Sequence, residues 1–396
     1  MEEKQIWELV QKVNFGTEEE MTESVATINS IASEKGLIFG SSADLYRKFI
    51  SGEERGFVVP AINVRTLTYD FAKLIFSMIS GLKRKYVIFE LAPTEGGYTN
   101  QTPQQFASSI TAGALAAGYE GEIVIQGDHY QFSANKYALD AGAERMRLMG
   151  LIDESISVGY RNIDIDASTL VDYQRADISS QQKENVTETL ALLTHIRTKY
   201  PDKNISVGGE IGHIGDRNTI PEEVEYFLGK MKQISNSINK VAVQTGTTHG
   251  GMIDESGKNI SMPIDLELVG NLGISAKKFG VAGIVQHGAS TLPIDVLSQL
   301  SSKNVIEAHL STGWQNIFFD NLPENIKQEM YGHIRSNFMS ESNSIWSETE
   351  AIYRLRKKVL GPFKEKIWSM NIEEKAPILE AWREFANQLF VAFNLK

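Results

Sequence analysis

The sequence predicts an α/β protein built as a closed (β/α)8 barrel of the TIM type, with helices before and after it. Two observations carry this. Eight short apolar runs rich in β-branched residues recur along the chain, and segments with helical spacing of apolar residues separate them. Alternating strands and helices make a parallel sheet. A count of eight fits a closed barrel better than an open doubly wound sheet, which usually has fewer strands.

Taken in order, residues 1–55 read as helices ("EEKQIWELVQKV", "EEMTESVATINSIASEK", "SADLYRKFIS") that form an N-terminal extension. The barrel is expected over 56–320. Its strands are "GFVVPAINV" (56–64), "KYVIFELA" (85–92), "GEIVIQGDH" (121–129) and "NIDIDAS" (162–168), followed by "NISVGGEIG" (204–212), "KVAVQTG" (240–246), "AGIVQHGAS" (282–290) and "NVIEAHLS" (304–311). Between them, 103–119 and 185–200 carry apolar residues at helical spacing. Residues 321–396 read as further helices that pack on the barrel or serve an oligomer interface. Neither flank reads as an independent domain.

Of the 396 residues, 42% are hydrophobic and 22% charged, so the chain has globular rather than disordered composition. A net charge of -11 argues against nucleic acid or an anionic membrane as partner, and any anionic substrate must meet a local positive site. With no cysteine, metal ligands are limited to His, Asp and Glu. No signal core and no run of about 18 apolar residues is present, so a cytoplasmic location is expected.

In such a barrel the active site lies at the carboxyl ends of the strands. Five of the seven histidines fall at or just past those ends: His129, His213, His249, His287 and His309. His195 and His333 fall in helical segments and read as structural or surface residues. Three imidazoles converging from different strands suit a divalent ion of zinc type with a position left open for substrate. Gly127, Gly250 and Gly288 beside His129, His249 and His287 allow close backbone approach. The alternative is a set of hydrogen-bonded core histidines. Carboxylates join the set: Asp128, Asp164, Asp166 and Glu210. For Asp166 and Glu210, acid–base chemistry and the orienting of a ligating imidazole are equally open; for Asp128, chemistry is favoured. The strand carrying "IQGDH" is expected to end at Gly127, so that Asp128 and His129 face different partners.

These stretches resemble the class II, metal-dependent fructose-bisphosphate aldolase superfamily. "VPAINV" stands on the first strand, "GDH" on the third, "IDAS" on the fourth, "GEIGHIG" on the fifth, "GTTHG" on the sixth and "HGAS" on the seventh, six motifs in order. The resemblance implies that His129, His249 and His287 bind Zn2+ or another divalent transition metal. It implies that Asp128 is the proton donor to the substrate C4 oxygen, that Glu210 neighbours or alternately binds the metal, and that Asp166 is a further acid. Substrate and phosphate contacts are expected from Asn63, Gly250, Gly288, Ser290, Thr291 and His309.

A second likeness qualifies the first. "ELAPTEGGYTNQTPQQF" (90–106) and "IEAHLSTGWQN" (306–316) look like the tagatose-bisphosphate aldolase subunit branch, often regarded as non-catalytic on its own. Departures from the usual aldolases concern phosphate recognition: "EAHLS" stands where the family has an Asn and a Thr, and the Lys after the strand-6 "HG" is absent. Arg65 or the basic "RLRKK" (354–358) are candidate replacements, although the latter also reads as a solvated helix face. The resemblance implies a lyase of carbohydrate metabolism, such as glycolysis, that cleaves a ketose (bis)phosphate, fructose 1,6-bisphosphate or a close relative, to dihydroxyacetone phosphate and an aldehyde. The alternatives are a ketose C4 epimerase using the same retro-aldol step, and a non-catalytic partner subunit. The expected partner is a small sugar phosphate, and the expected assembly a homo-oligomer.

Overall fold

The computed structural model describes residues 2–212, 217–235, 237–246, 252–253, 259–260, 264–343 and 345–396, with backbone alone at 252–253 and 259–260. Eight parallel strands close into a barrel. They are β1 (Val59–Asn63), β2 (Ile88–Leu91), β3 (Glu122–Gln131), β4 (Asn162–Asp166), β5 (Ser206–Ile211), β6 (Lys240–Val243), β7 (Ile284–Gln286) and β8 (Val305–Leu310). Each pairs with its sequence neighbours, and β8 pairs with β1 to close the ring. All eight strands expected from the apolar runs are present, because strands covered on both faces read as continuous hydrophobic stretches.

Helices alternate with the strands. Two outer helices, Thr68–Ile79 and Pro103–Ala116, approach closely where a Cβ on Gly113 would stand 2.6 Å from the Ala72 Cβ and 2.8 Å from the Lys73 nitrogen. Only glycine leaves room for that contact. After two N-terminal helices the chain adds a strand that the sequence reading does not anticipate, Ile38–Gly40, which pairs in parallel with the start of β3. Three residues are too few to show a period.

The next helix, α1 (Ser42–Ser51), lies across the amino ends of the barrel strands. The Ser42 hydroxyl donates to Asn162 Oδ1 at 2.8 Å, at the start of β4, and lies 2.9 Å from Ser206 Oγ, at the start of β5. At the other end of the chain, the C-terminal helix Ile372–Ala392 packs against the barrel's outer layer. Trp382 Nε1 donates to the Trp314 carbonyl at 3.0 Å, and Phe71 stands edge-on to both indoles. Among the described residues no helix is long and apolar enough to cross a membrane.

Gly113→Val is expected to destabilise the fold by about 1–3 kcal/mol through overpacking. A lower urea midpoint with an unchanged slope is the measurement.

Candidate active site

β3 does not end at Gly127. It runs on to Gln131, and the pairing with β4 slips: Gly127 faces Ile163 but Tyr130 faces Ile165, so β3 holds one extra residue. His129 takes up the slack at φ 44°, a left-handed conformation that costs a non-glycine residue on the order of 1 kcal/mol. Gly127 is needed because the Tyr130 ring folds back over it, with Cε2 2.0 Å from where a Cβ would be. The bulge breaks the alternation of side chains, so Asp128 and His129 both reach the cluster at the carboxyl end of the barrel. His129 Nε2 lies 3.6 Å from Asp128 Oδ1.

Around His129 the carboxylates of β4 and β5 converge. Its Nδ1 stands 2.8 Å from Glu210 Oε1 and 3.1 Å from Asp166 Oδ2. Asp166 is fully buried and also accepts from the Ser168 amide at 3.0 Å, the Ser168 hydroxyl at 2.6 Å and the Gln131 amide. A carboxylate so saturated fixes the orientation of the imidazole through its Nδ1–H. From the turn after β7, His287 brings Nε2 to 3.7 Å from Glu210 Oε1, and its ring centroid is 4.5 Å from that of His129.

One ligand atom each from Asp128, His129, Glu210 and His287 lie within 4.8 Å of one another. Ligands bound at about 2.1 Å to a common ion are roughly 3–4 Å apart, so this spacing fits a single divalent ion. Two imidazoles and two carboxylates suit an ion of zinc, cobalt or manganese type. His249 and Gly250, the other metal and substrate candidates, lie outside the described residues, as does His213.

Burial and charge set the protonation of the cluster. Burial and the nearby Asp166 push Glu210 up to about 7, against the opposing pull of His129. Burial would lower His129, but Asp128 and Glu210 hold it well above the ordinary histidine value. Asp128 is raised by burial and then brought far below the usual carboxylate range by His129 and His309.

Beneath this cluster lies a second polar layer. His309 on β8 places Nδ1 3.2 Å from Asp128 Oδ1 and 3.3 Å from Glu90 Oε2, and Nε2 2.7 Å from Glu307 Oε1. Lys240 is the buried cation of the layer, donating to Gln126 Oε1 at 2.7 Å, to Asp164 Oδ2 at 2.9 Å and to Glu307. The sequence reading passes over Lys240, Gln126, Glu90 and Tyr46. The signal was a polar residue inside an apolar run, as in "VIFELA" and "IVIQGD"; Lys240, first in its strand, reads as a solvated flank.

Elsewhere, Asn63 at the end of β1 donates to Glu95 Oε2 at 2.5 Å, and Glu95 also pairs with Arg65. Arg65 further bonds Gln315 Oε1 at 2.8 Å. Gly288 adopts a left-handed conformation, φ 67°, ahead of the short turn Ala289–Thr291. There the Ser290 hydroxyl accepts from the Gly313 amide at 2.9 Å, and the Thr291 hydroxyl donates to the Gly288 carbonyl at 3.2 Å.

Lys240→Met leaves Asp164 and Glu307 buried without their cation. A loss of about 3–5 kcal/mol in chemical denaturation is expected.

Against known proteins, a family profile described as "Fructose-bisphosphate aldolase class-II" matches residues 45–367. No curated protein matches by sequence search. Among solved structures, a fructose-bisphosphate aldolase from Campylobacter jejuni aligns at 17% identity and TM-score 0.54, over 91% of this chain and 96% of that one. A glycerol-complexed fructuronate-tagaturonate epimerase from Cohnella laeviribosi aligns at 11% identity and TM-score 0.62, over 94% of this chain and 86% of that one. A probable tagatose 6 phosphate kinase from Sinorhizobium meliloti 1021 aligns at 12% identity and TM-score 0.62, over 85% of this chain and 100% of that one. At these identities the likeness concerns the fold.

Proposed function

Because the chain belongs to the class II fructose-bisphosphate aldolase family, we propose that it is a metal-dependent lyase. In this reading it reversibly cleaves the C3–C4 bond of a ketose phosphate, fructose 1,6-bisphosphate or a close relative, to dihydroxyacetone phosphate and an aldehyde. The observation that carries the reading is the convergence of Asp128, His129, Glu210 and His287 on one point at the carboxyl end of the barrel. His129, His287 and Glu210, with His249 as the third imidazole of this reading, would hold a divalent ion, which would supply Lewis-acid polarisation of the ketose carbonyl.

The chain's own groups do the rest. Asp128, ionised beside His129 and His309, accepts the C4 hydroxyl proton on cleavage and returns it on condensation. Asp166 orients the His129 ring, and Glu210 is the titratable carboxylate nearest both imidazoles. Asn63, Gly288, Ser290, Thr291 and His309 are assigned to the substrate side in this reading, as is Gly250, which lies outside the described residues.

A second reading, C4 epimerisation of a ketose by cleavage and re-addition without release, draws on β8 and the turn after β7. Glu307 and His309 are committed to Lys240 and Asp128, and the Ser290 hydroxyl to Gly313. That leaves fewer side chains to hold a phosphate on the three-carbon half. Metal-loaded protein assayed against a panel of ketose phosphates and ketouronates, scoring fragments and epimers together, separates the readings. Free three-carbon fragments support the lyase, epimers without fragments support the second reading, and a purified protein that is metal-free and inactive alone points to a partner subunit.

Chelation is expected to remove about one divalent ion per chain together with activity, read by elemental analysis. Because His129, His287 and Glu210 are proposed to hold the ion without it, Asp128→Asn should retain that ion while turnover falls by about 10²–10⁴-fold. Full turnover in a metal-replete Asp128→Asn sample would overturn the assigned role.

A further inference from the structure

We propose that Tyr46, Glu307 and His309 form a buried chain that positions Asp128, so that the helix closing the bottom of the barrel governs the acid–base group at its top. The inference rests on the function proposed above and names positioning residues for it.

Glu307 is the centre of the chain. Its Oε1 receives Lys240 Nζ, Gln126 Nε2 at 3.0 Å and His309 Nε2 at 2.7 Å, and its Oε2 receives the Tyr46 hydroxyl. An ionised carboxylate only accepts, so four donors converge on it and His309 carries a proton at Nε2, while its Nδ1, which faces the carboxylates of Asp128 and Glu90, carries another. That fixes the imidazole in plane and rotation and holds Nδ1 in ion-pair contact with two carboxylates, 3.2 Å from Asp128 Oδ1 and 3.3 Å from Glu90 Oε2. The oxygen of Asp128 is thereby set by a ring whose orientation is decided one layer deeper.

Tyr46 is the unexpected member. It comes from α1, outside the barrel wall, yet it is completely buried and spans from the amino ends of the strands to a carboxylate on β8. A TIM barrel is ordinarily filled by layers of branched apolar side chains, and an aliphatic plug would close its base equally well. Inside a buried polar layer a group left without a partner is costly, so each donor that reaches Glu307 helps to specify one arrangement. The phenol satisfies the Glu307 oxygen that Lys240, Gln126 and His309 leave open.

The test uses the full-length, metal-loaded protein. Tyr46→Phe removes one oxygen, distant from substrate. Metal content is expected to stay near wild type and the unfolding midpoint to fall modestly, because one Glu307 oxygen loses its donor, while kcat falls about 10–100-fold at unchanged KM, the usual effect of losing an orienting partner. In an Asp128→Asn background the same change should cost nothing further, because it acts through Asp128; a merely structural role would lower both backgrounds alike. An unchanged kcat for Tyr46→Phe, or an equal loss in both backgrounds, overturns the proposal. An arm independent of turnover keeps the chain testable if no ketose on the panel reacts. In 15N-labelled protein, the His309 Nε2–H resonance should be slow to exchange in wild type, and in Tyr46→Phe and Glu307→Gln it should shift and exchange faster. An identical signal in all three also overturns it.

Discussion

The ammonium of Lys240 stands inside the barrel among Gln126, Asp164 and Glu307, and much of the structure follows from that one charge. Burial by itself would discharge it, but Asp164 and Glu307 hold it protonated. In return it keeps Glu307 ionised in a place where burial would otherwise neutralise a carboxylate. Glu307 can then accept from Gln126, His309 and Tyr46 at once, and Gln126 passes a second hydrogen bond to Glu90 at 2.9 Å. Without the cation, burial would push Glu307 toward its neutral form, the direction in which it already pushes Glu90 and Asp164.

This buried layer gives the site above it a floor. His309 joins the two, since one ring nitrogen belongs to the Glu307 network and the other faces Asp128 and Glu90. Its ring also lies 4.3 Å, centroid to centroid, from that of His287. Metal-ligand candidates and acid–base candidates therefore rest on a continuous set of hydrogen-bonded and ion-paired neighbours rather than on separate loops, which favours a preorganised geometry.

The extra residue in β3 supplies the other requirement. An unbroken strand would send Asp128 and His129 to opposite faces, one into the barrel and one toward the outer helices. The slip at Gly127–Tyr130, with His129 in a left-handed conformation, lets consecutive residues serve the same end of the barrel. The local strain is stabilised by Asp166 and Glu210 on the two following strands, which hold the imidazole from the side opposite Asp128.

How much of this was legible follows from the range over which each feature acts. Strand and helix periods are local, and the eight apolar runs, the helices between them and the polar residues at their ends could be read directly from the sequence. So could Asp128, His129, Glu210 and His287 as site candidates, since each ends an apolar run. The three-residue strand Ile38–Gly40 could not, because its identity comes from pairing with Glu122–Val124 and not from any pattern of its own. Nor could the continuation of β3 past Gly127, which depends on the Tyr130 ring folding back and on the register with β4. The Lys240, Glu307 and Tyr46 network was the least legible part. Its members lie 67 to 261 positions apart in sequence, and each is individually a residue type expected at the surface or only partly buried. The sequence by itself determined the barrel and which side chains stand at its strand ends, since these follow from periodicity. The tertiary structure alone decided which charges neutralise one another in the interior, because burying a charge is favourable only when a partner from a distant strand is already in place.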